Sequence, residues 1–236
     1  DIQLDGSGGL ITLGGKKNIG LALDAALSST GNSVLDNVKD ISILLNGESN
    51  IGINRTVSTN TPVYTNMPLI LNDSIIKSIE FGENSVSSVG IMSAQGTTII
   101  ESSLQNSIKP LNSGSTNALI VNNYGGVIKN YMPVYIGSGA SSAVALLRQG
   151  GSIENYADIQ NNSGNGTSIY VRGSFLNEGN IEVNGENGKA IVVESGSLTS
   201  ENDYITVNGK SAISIYGASS TFETPSLNIK TDKMEL

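Results

Sequence analysis

The chain has no cysteine, no histidine and no tryptophan, and only 5% of its 236 residues are aromatic. Without cysteine there is no disulfide, thiolate metal ligand or thiol nucleophile. Without histidine there is no Ser-His-Asp triad, imidazole base or imidazole metal site. Most familiar catalytic chemistry is thereby excluded, and no cofactor is expected. Charge is scarce too: 14% of residues are charged, 13 basic against 21 acidic, for a net charge of −8. An acidic surface cannot neutralise phosphate, so neither nucleic acid nor an anionic membrane is expected as a partner. No apolar run is long enough to span a membrane. The opening Asp1-Ile2-Gln3-Leu4-Asp5 lacks the basic and apolar regions of a signal peptide. The chain is therefore expected to be a mature or excised segment that does not itself insert into a membrane.

What is abundant is small and polar. Gly, Asn, Ser and Thr supply 103 residues, while the apolar volume comes from 27 Ile, 20 Leu and 15 Val. Such a core favours strands over helices. These residues recur in columns. Leu119, Val144, Ile169, Ile191 and Ile213 form one, with Val121, Leu146, Val171, Val193 and Ile215 two positions later. Ile128, Ile153, Phe175, Leu198 and Phe222 form a second. Val134, Ile159, Ile181, Ile205 and Leu227 form a third, followed by Ile136, Asn161, Val183, Val207 and Ile229. Three short alternating stations per unit, separated by Gly, Asn and Ser, predict a triangular β-solenoid with three strands and three corners. Asn184-Gly185, Asn187-Gly188 and Asn208-Gly209 are expected at corners as residues that tolerate positive φ.

Upstream, a small residue before an apolar one recurs at Gly20-Leu21, Gly52-Ile53, Gly90-Ile91 and Ala118-Leu119, and again at Ala143-Val144, Ser168-Ile169, Ala190-Ile191 and Ala212-Ile213. This predicts about eight coils in one continuous domain. Residues 1–90 hold N-terminal coils with long loops, and residues 91–236 hold regular coils of about 22–28 residues. Between Ser33 and Ile43, Val34, Val38 and Ile41 sit at helical spacing, and periodicity alone does not choose helix or strand there. Asn130, Asn155 and Asn177 each fall two positions after a second-column residue, with Ser200 and Thr224 continuing the series. They are expected to form an inward structural ladder in which stacked amides satisfy one another. Tyr131 and Tyr156 repeat the spacing one residue later, as packing.

Chemical motifs are few. Ser74-Ile75-Ile76-Lys77 matches Ser-x-x-Lys without either companion motif, and Gly209-Lys210-Ser211 lacks the first glycine of a phosphate loop. Asp5-Gly6-Ser7-Gly8-Gly9 does not fit a calcium-binding repeat. Glu182, Glu186 and Glu194 read as a solvated acidic face, so no metal site is expected. Arg148 and Arg172 fall at different offsets from their columns and are expected to face different ways. Glu154 with Glu178 is the best pair for two-carboxylate hydrolysis.

Asn18-Ile19-Gly20-Leu21, Ser168-Ile169-Tyr170-Val171-Arg172-Gly173-Ser174, Asn177-Glu178-Gly179-Asn180-Ile181-Glu182-Val183 and Gly188-Lys189-Ala190-Ile191-Val192-Val193 resemble coils of autotransporter passenger domains of type V secretion. The large fusobacterial outer-membrane adhesins are the nearest likeness, clear over residues 116 to 230. The resemblance implies a right-handed, single-stranded parallel β-helix at the cell surface, part of an outer-membrane-anchored protein. It carries over no functional residue.

The expected function is that of a non-enzymatic, monomeric adhesin module binding a host or bacterial surface protein or glycan. The alternative is a carbohydrate-active β-helix, either a polysaccharide lyase or hydrolase or a phage tail-spike depolymerase. Binding is expected in the long interval from Arg55 to Asn72, which holds Tyr64, Asn66 and Met67 between Pro62 and Pro68. The same interval could instead be a passive insertion covering the N-terminal end of the rod.

Overall fold

The computed structural model describes residues 9–24, 39–56, 68–200, 204–223 and 228–230. In chain order the strands begin with β1 (Leu10–Leu13), β2 (Ile19–Asp24), β3 (Ile41–Leu45), β4 (Ile51–Thr56), β5 (Leu69–Leu71), β6 (Ile76–Phe81) and β7 (Val89–Ser93). Next come β8 (Thr97–Ile100), β9 (Ala118–Asn122), β10 (Val127–Asn130), β11 (Val134–Ile136), β12 (Val144–Arg148), β13 (Ser152–Asn155) and β14 (Ile159–Asn161). The series ends with β15 (Thr167–Asn177), β16 (Ile181–Val183), β17 (Lys189–Ser200), β18 (Tyr204–Val207), β19 (Ile213–Glu223) and β20 (Asn228–Lys230). A short 3-10 helix spans Ser102–Asn106.

The protein is all-β, and every pairing between described strands is parallel. Each strand meets its partner one repeat away in sequence, so three rows of strands build up. The first face stacks β2, β4, β7, β9, β12, β15, β17 and β19. The second stacks β5, β8, β10, β13 and then the second halves of β15, β17 and β19. The third carries β1, β3 and β6, then β11, β14, β16, β18 and β20, and bridges from Ile79 to Ile108 and from Leu111 to Ile136 join the two groups. Because the three long strands run round the corner from first to second face, those faces merge into one curled twelve-stranded sheet.

The core lies between these faces. Leu13, Leu45 and Phe81 stack in register on the third face, as do Val134, Ile159, Ile181 and Ile205 further along; Ile128, Ile153, Phe175 and Leu198 do so on the second. Nearly all of these side chains are buried in one continuous cluster. At about 1.5–3 kcal/mol for each fully buried Ile, Leu or Phe, a unit is stabilised only by the neighbours that cover its open ends.

The second-column register agrees with the sequence spacing. Two other columns are corrected. On the first face the inward row is Leu21, Ile53, Ile91, Ile120, Leu146, Ile169, Ile191 and Ile215, so the assignment slips by one at Leu119 and by two at Val144 and Ile213. Spacing alone missed this because the corners between strands differ in length from unit to unit, so that paired residues are 26, 23, 22 and 24 positions apart along this part of the row. On the third face Ile205 pairs with Ile229, where Leu227 had been expected. Ile41 and Ile43 lie in strand β3, whereas Val34 and Val38 fall outside the described residues.

The corner glycines are also corrected. Gly185, Gly188 and Gly209 are not among the residues with positive φ. Gly185 is required for closeness: a Cβ there would sit 1.7 Å from the Ser163 carbonyl oxygen of the preceding unit. Positive φ is found instead at other glycines, among them Gly96, Gly126, Gly151, Gly173 and Gly196 on the way from first to second face, and at non-glycine residues at the corner entering the first face, namely Lys17, Ser49, Ser87, Thr116, Ser142 and Ser211. The next residue's side chain closes the adjoining unit's turn at Asn50, Ser88 and Asn117, whereas Ala143 and Ala212 carry no capping group. Asn18 N donates to Asn50 Oδ1 at 2.9 Å, Asn50 N to Ser88 Oγ at 3.1 Å, and Ser88 N to Asn117 Oδ1 at 2.9 Å.

Candidate functional site

Polar side chains divide into those satisfied inside the stack and those offered outside it. Inside, the structure brings Asn130, Asn155 and Asn177 together. Asn130 Nδ2 donates to Asn155 Oδ1 and Asn155 Nδ2 to Asn177 Oδ1, each at 2.8 Å. Their other amide hydrogens go to the carbonyls of Met132, Ala157 and Gly179. All three residues are buried, so these amides are committed to the scaffold. In the same register column the ladder is preceded by Ile100 and Leu71 and followed by Ser200, while Thr224 lies outside the described residues.

A second inward column caps the corner between first and second faces. It runs Leu23, Arg55, Ser93, Asn122, Arg148, Val171 and Val193. Where the chain breaks between two strands at this corner, its carbonyls turn inward and a long polar side chain meets them. Arg148 Nε donates to Gly151 O at 2.7 Å, Asn122 Nδ2 to Ser152 O at 2.8 Å, and the Arg55 guanidinium to Thr97 O. Where the strand continues unbroken past Gly173 and Gly196, the column holds valine. Burial lowers the pKa of both arginines, which stay charged because their ordinary value is so high.

Arg55, expected at the edge of a binding loop, is thus a strand residue 2% exposed. At the other end of that interval, Asn72 Oδ1 accepts from Ser74 N at 3.2 Å and Ser74 Oγ at 2.6 Å, a local turn that also occupies the Ser74 hydroxyl. Tyr64, Asn66 and Met67 lie outside the described residues.

On the outside of the second face, Tyr131 and Tyr156 stack with centroids 4.8 Å apart and planes 9° from parallel. Tyr156 donates its hydroxyl to Glu154 Oε2 at 2.7 Å, and Lys129 Nζ lies 3.0 Å from the same oxygen. That hydrogen bond, with the nearby negative charge, raises the Tyr156 pKa. Glu154 therefore already has two partners. It pairs in register with Leu176, one row away from exposed Glu178. On the first face, Glu194 takes hydrogen bonds from Tyr170 and Arg172, and the Arg172 guanidinium lies over the Tyr170 ring. Arg148 faces in and Arg172 out.

The third face carries a feature the sequence did not disclose. Its outer surface forms a groove of about 510 Å³ across β11, β14, β16 and β18. Tyr135 on β11 and Tyr204 on β18 stand at opposite ends, each 44% exposed. One row of the floor holds Gln160, Glu182 and Thr206, in register with Tyr135, and the other holds Asp158 and Asn180 beside Tyr204. Asp158 Oδ1 accepts from Asn180 N at 2.9 Å and Asn180 Nδ2 at 3.0 Å; Tyr204 N donates to Asn180 Oδ1 at 3.2 Å. Asn208, also in the lining, begins a second amide ladder, Asn208 to Asn184 and Asn184 to Asn162, each at 2.9 Å. Glu182 thus belongs to the groove and Glu194 to another face. Among the described residues no three acidic side chains gather as a metal site would require. The signal for the groove was in the sequence, at every second residue of the third column, but polar outward positions look alike until the rows are aligned.

Compared with known protein families, curated proteins and solved structures, the chain matches none of them.

Proposed function

We propose that the chain is a non-enzymatic adhesin module: a right-handed, single-stranded parallel β-helix of about eight coils, acting as a passenger segment of an autotransporter. The eight strands aligned along the first face support the coil count, and right-handed crossover is the ordinary hand for parallel strands in one sheet. In this role the segment is monomeric and sits at the cell surface as part of an outer-membrane-anchored protein. It attaches to protein or glycan on host or bacterial cells.

One observation carries the binding function: the polar groove on the third face, open between two exposed tyrosines. Recognition sites commonly combine an aromatic contact with hydrogen-bonding neighbours on a rigid support. Glu154, one of the pair considered for hydrolysis, is tied to Lys129 and Tyr156, which favours binding over turnover. The test is attachment. Beads coated with the purified chain are expected to adhere to epithelial or bacterial cells above the level of uncoated beads. Turnover of any polysaccharide, abolished by Glu154→Gln or Glu178→Gln, would replace the adhesin with the carbohydrate-active alternative.

A further inference from the structure

We propose that the third-face groove binds a neutral oligosaccharide laid along the stacking direction, with sugar rings against Tyr135 and Tyr204. This inference rests on the adhesin reading and names the ligand class of the same site.

The groove's length and chemistry both point to it. From β11 to β18 there are three strand steps, or about 14 Å at the usual inter-strand spacing, which accommodates a few sugar rings in extended form. A sugar ring has an apolar C–H face and a rim of hydroxyls. The two tyrosine rings, 44% exposed, offer surfaces for the first. The floor offers partners for the second: Asp158 and Glu182 only accept, while Gln160, Asn180 and Thr206 can both donate and accept. Hydroxyls suit such a mixture because each can play either part.

Charge narrows the class. Two carboxylates on the floor and no lysine or arginine in the lining disfavour sulfated, sialylated or uronic chains. A basic peptide is disfavoured for a separate reason. Asp158 Oδ1 already accepts from two N–H groups of Asn180, and Glu182 accepts from Gln160 Nε2 at 3.4 Å and Asn208 Nδ2 at 3.5 Å, so amide donors offset part of the charge a cation would seek while acceptor positions remain for hydroxyls. A strand-like peptide also finds no free edge there, because the backbone of the floor strands is engaged with neighbours on both sides.

The experiment uses the whole chain on an array of neutral hexose and N-acetylhexosamine oligosaccharides printed beside their sulfated and sialylated forms. Calorimetry follows on the best neutral binder. Binding to neutral chains is expected, weakened about tenfold by Tyr135→Ala or Tyr204→Ala and retained by the matching Phe variants, since stacking needs the ring and not the hydroxyl. Circular dichroism checks that each variant keeps its fold. No neutral binding, preference for anionic chains or basic peptides, or unchanged affinity in both Ala variants relative to the unsubstituted chain would overturn the proposal. The bead assay separates this from failure of the adhesin function. Adherence unaffected by Tyr204→Ala would remove the groove and leave the adhesin, whereas glycan binding without adherence would remove the adhesin and leave the groove.

Discussion

Asn155 gives one amide hydrogen to the Ala157 carbonyl in its own unit and the other to Asn177 Oδ1 in the next, both at 2.8 Å. The same column is occupied upstream by Ile100 and Leu71. A buried amide here is thus satisfied partly by its own backbone and partly by the next amide in the column, while an apolar side chain also fits the site.

From this follows a non-additive mutational series. Asn155→Leu should destabilise the protein by about 2–4 kcal/mol, because it removes both buried amide–amide hydrogen bonds of the ladder, the one from Asn130 and the one to Asn177. Replacing Asn130, Asn155 and Asn177 together by Leu should cost less than the sum of the three single changes. Urea denaturation of the four variants measures it, and strict additivity would show that the amides act independently.

Glycine substitutions separate close approach from turn geometry. Gly185→Ala should destabilise by roughly 2 kcal/mol or more, since its Cβ would meet the Ser163 carbonyl. Gly164, where a Cβ would meet nothing within 4 Å, should accept alanine with a change within about 1 kcal/mol, in either direction. Equal melting temperatures for the two variants would refute the distinction.

The corner arginine and the surface arginine should behave oppositely. Arg148→Leu leaves the Gly151 carbonyl without its guanidinium donors, for an expected loss of about 1–3 kcal/mol. Arg172→Leu removes an exposed pair with Glu194 and should leave stability nearly unchanged. Chemical denaturation at fixed salt decides between them.

The Arg172 hydrogen bond, followed by that from Tyr170, holds the Glu194 carboxyl below the usual carboxylate range. Its folded pKa lies below its unfolded one, so the stabilisation is present above the unfolded value and is lost as pH falls through the folded value. In an NMR titration Arg172→Leu should move the Glu194 midpoint upward, and less so at high salt. An unmoved midpoint would exclude Arg172 as the cause.

How much of this was legible beforehand depended on how each residue repeats. Ile128, Ile153, Phe175 and Leu198 follow one another at nearly constant spacing with no irregular step between them, so their register could be counted. Leu119 and Val144 could not be placed the same way, because the corners between strands vary in length and each change resets which side chain faces in. The first-face corner was missed because its positive φ is carried by Lys, Ser and Thr. Its signal was the next residue, seen in Asn18-Ile19-Gly20-Leu21 and Asn50-Ile51-Gly52-Ile53, where the Asn50 side-chain oxygen accepts from the Asn18 backbone of the adjoining unit.

The sequence by itself determined the all-β class, the parallel repetition and the alternation that separates buried from exposed positions, because strand periodicity and repeat spacing are local and linear properties. Only the tertiary structure decided which unit's residue lies beside which. That alignment places Arg148 under a corner, joins three asparagines into a ladder and sets Tyr135 and Tyr204 at the two ends of one groove. The physical reason is that the register between units is fixed by the summed length of every intervening corner, as in the asparagine ladder, whose members lie 25 and 22 residues apart, and no single spacing records that sum.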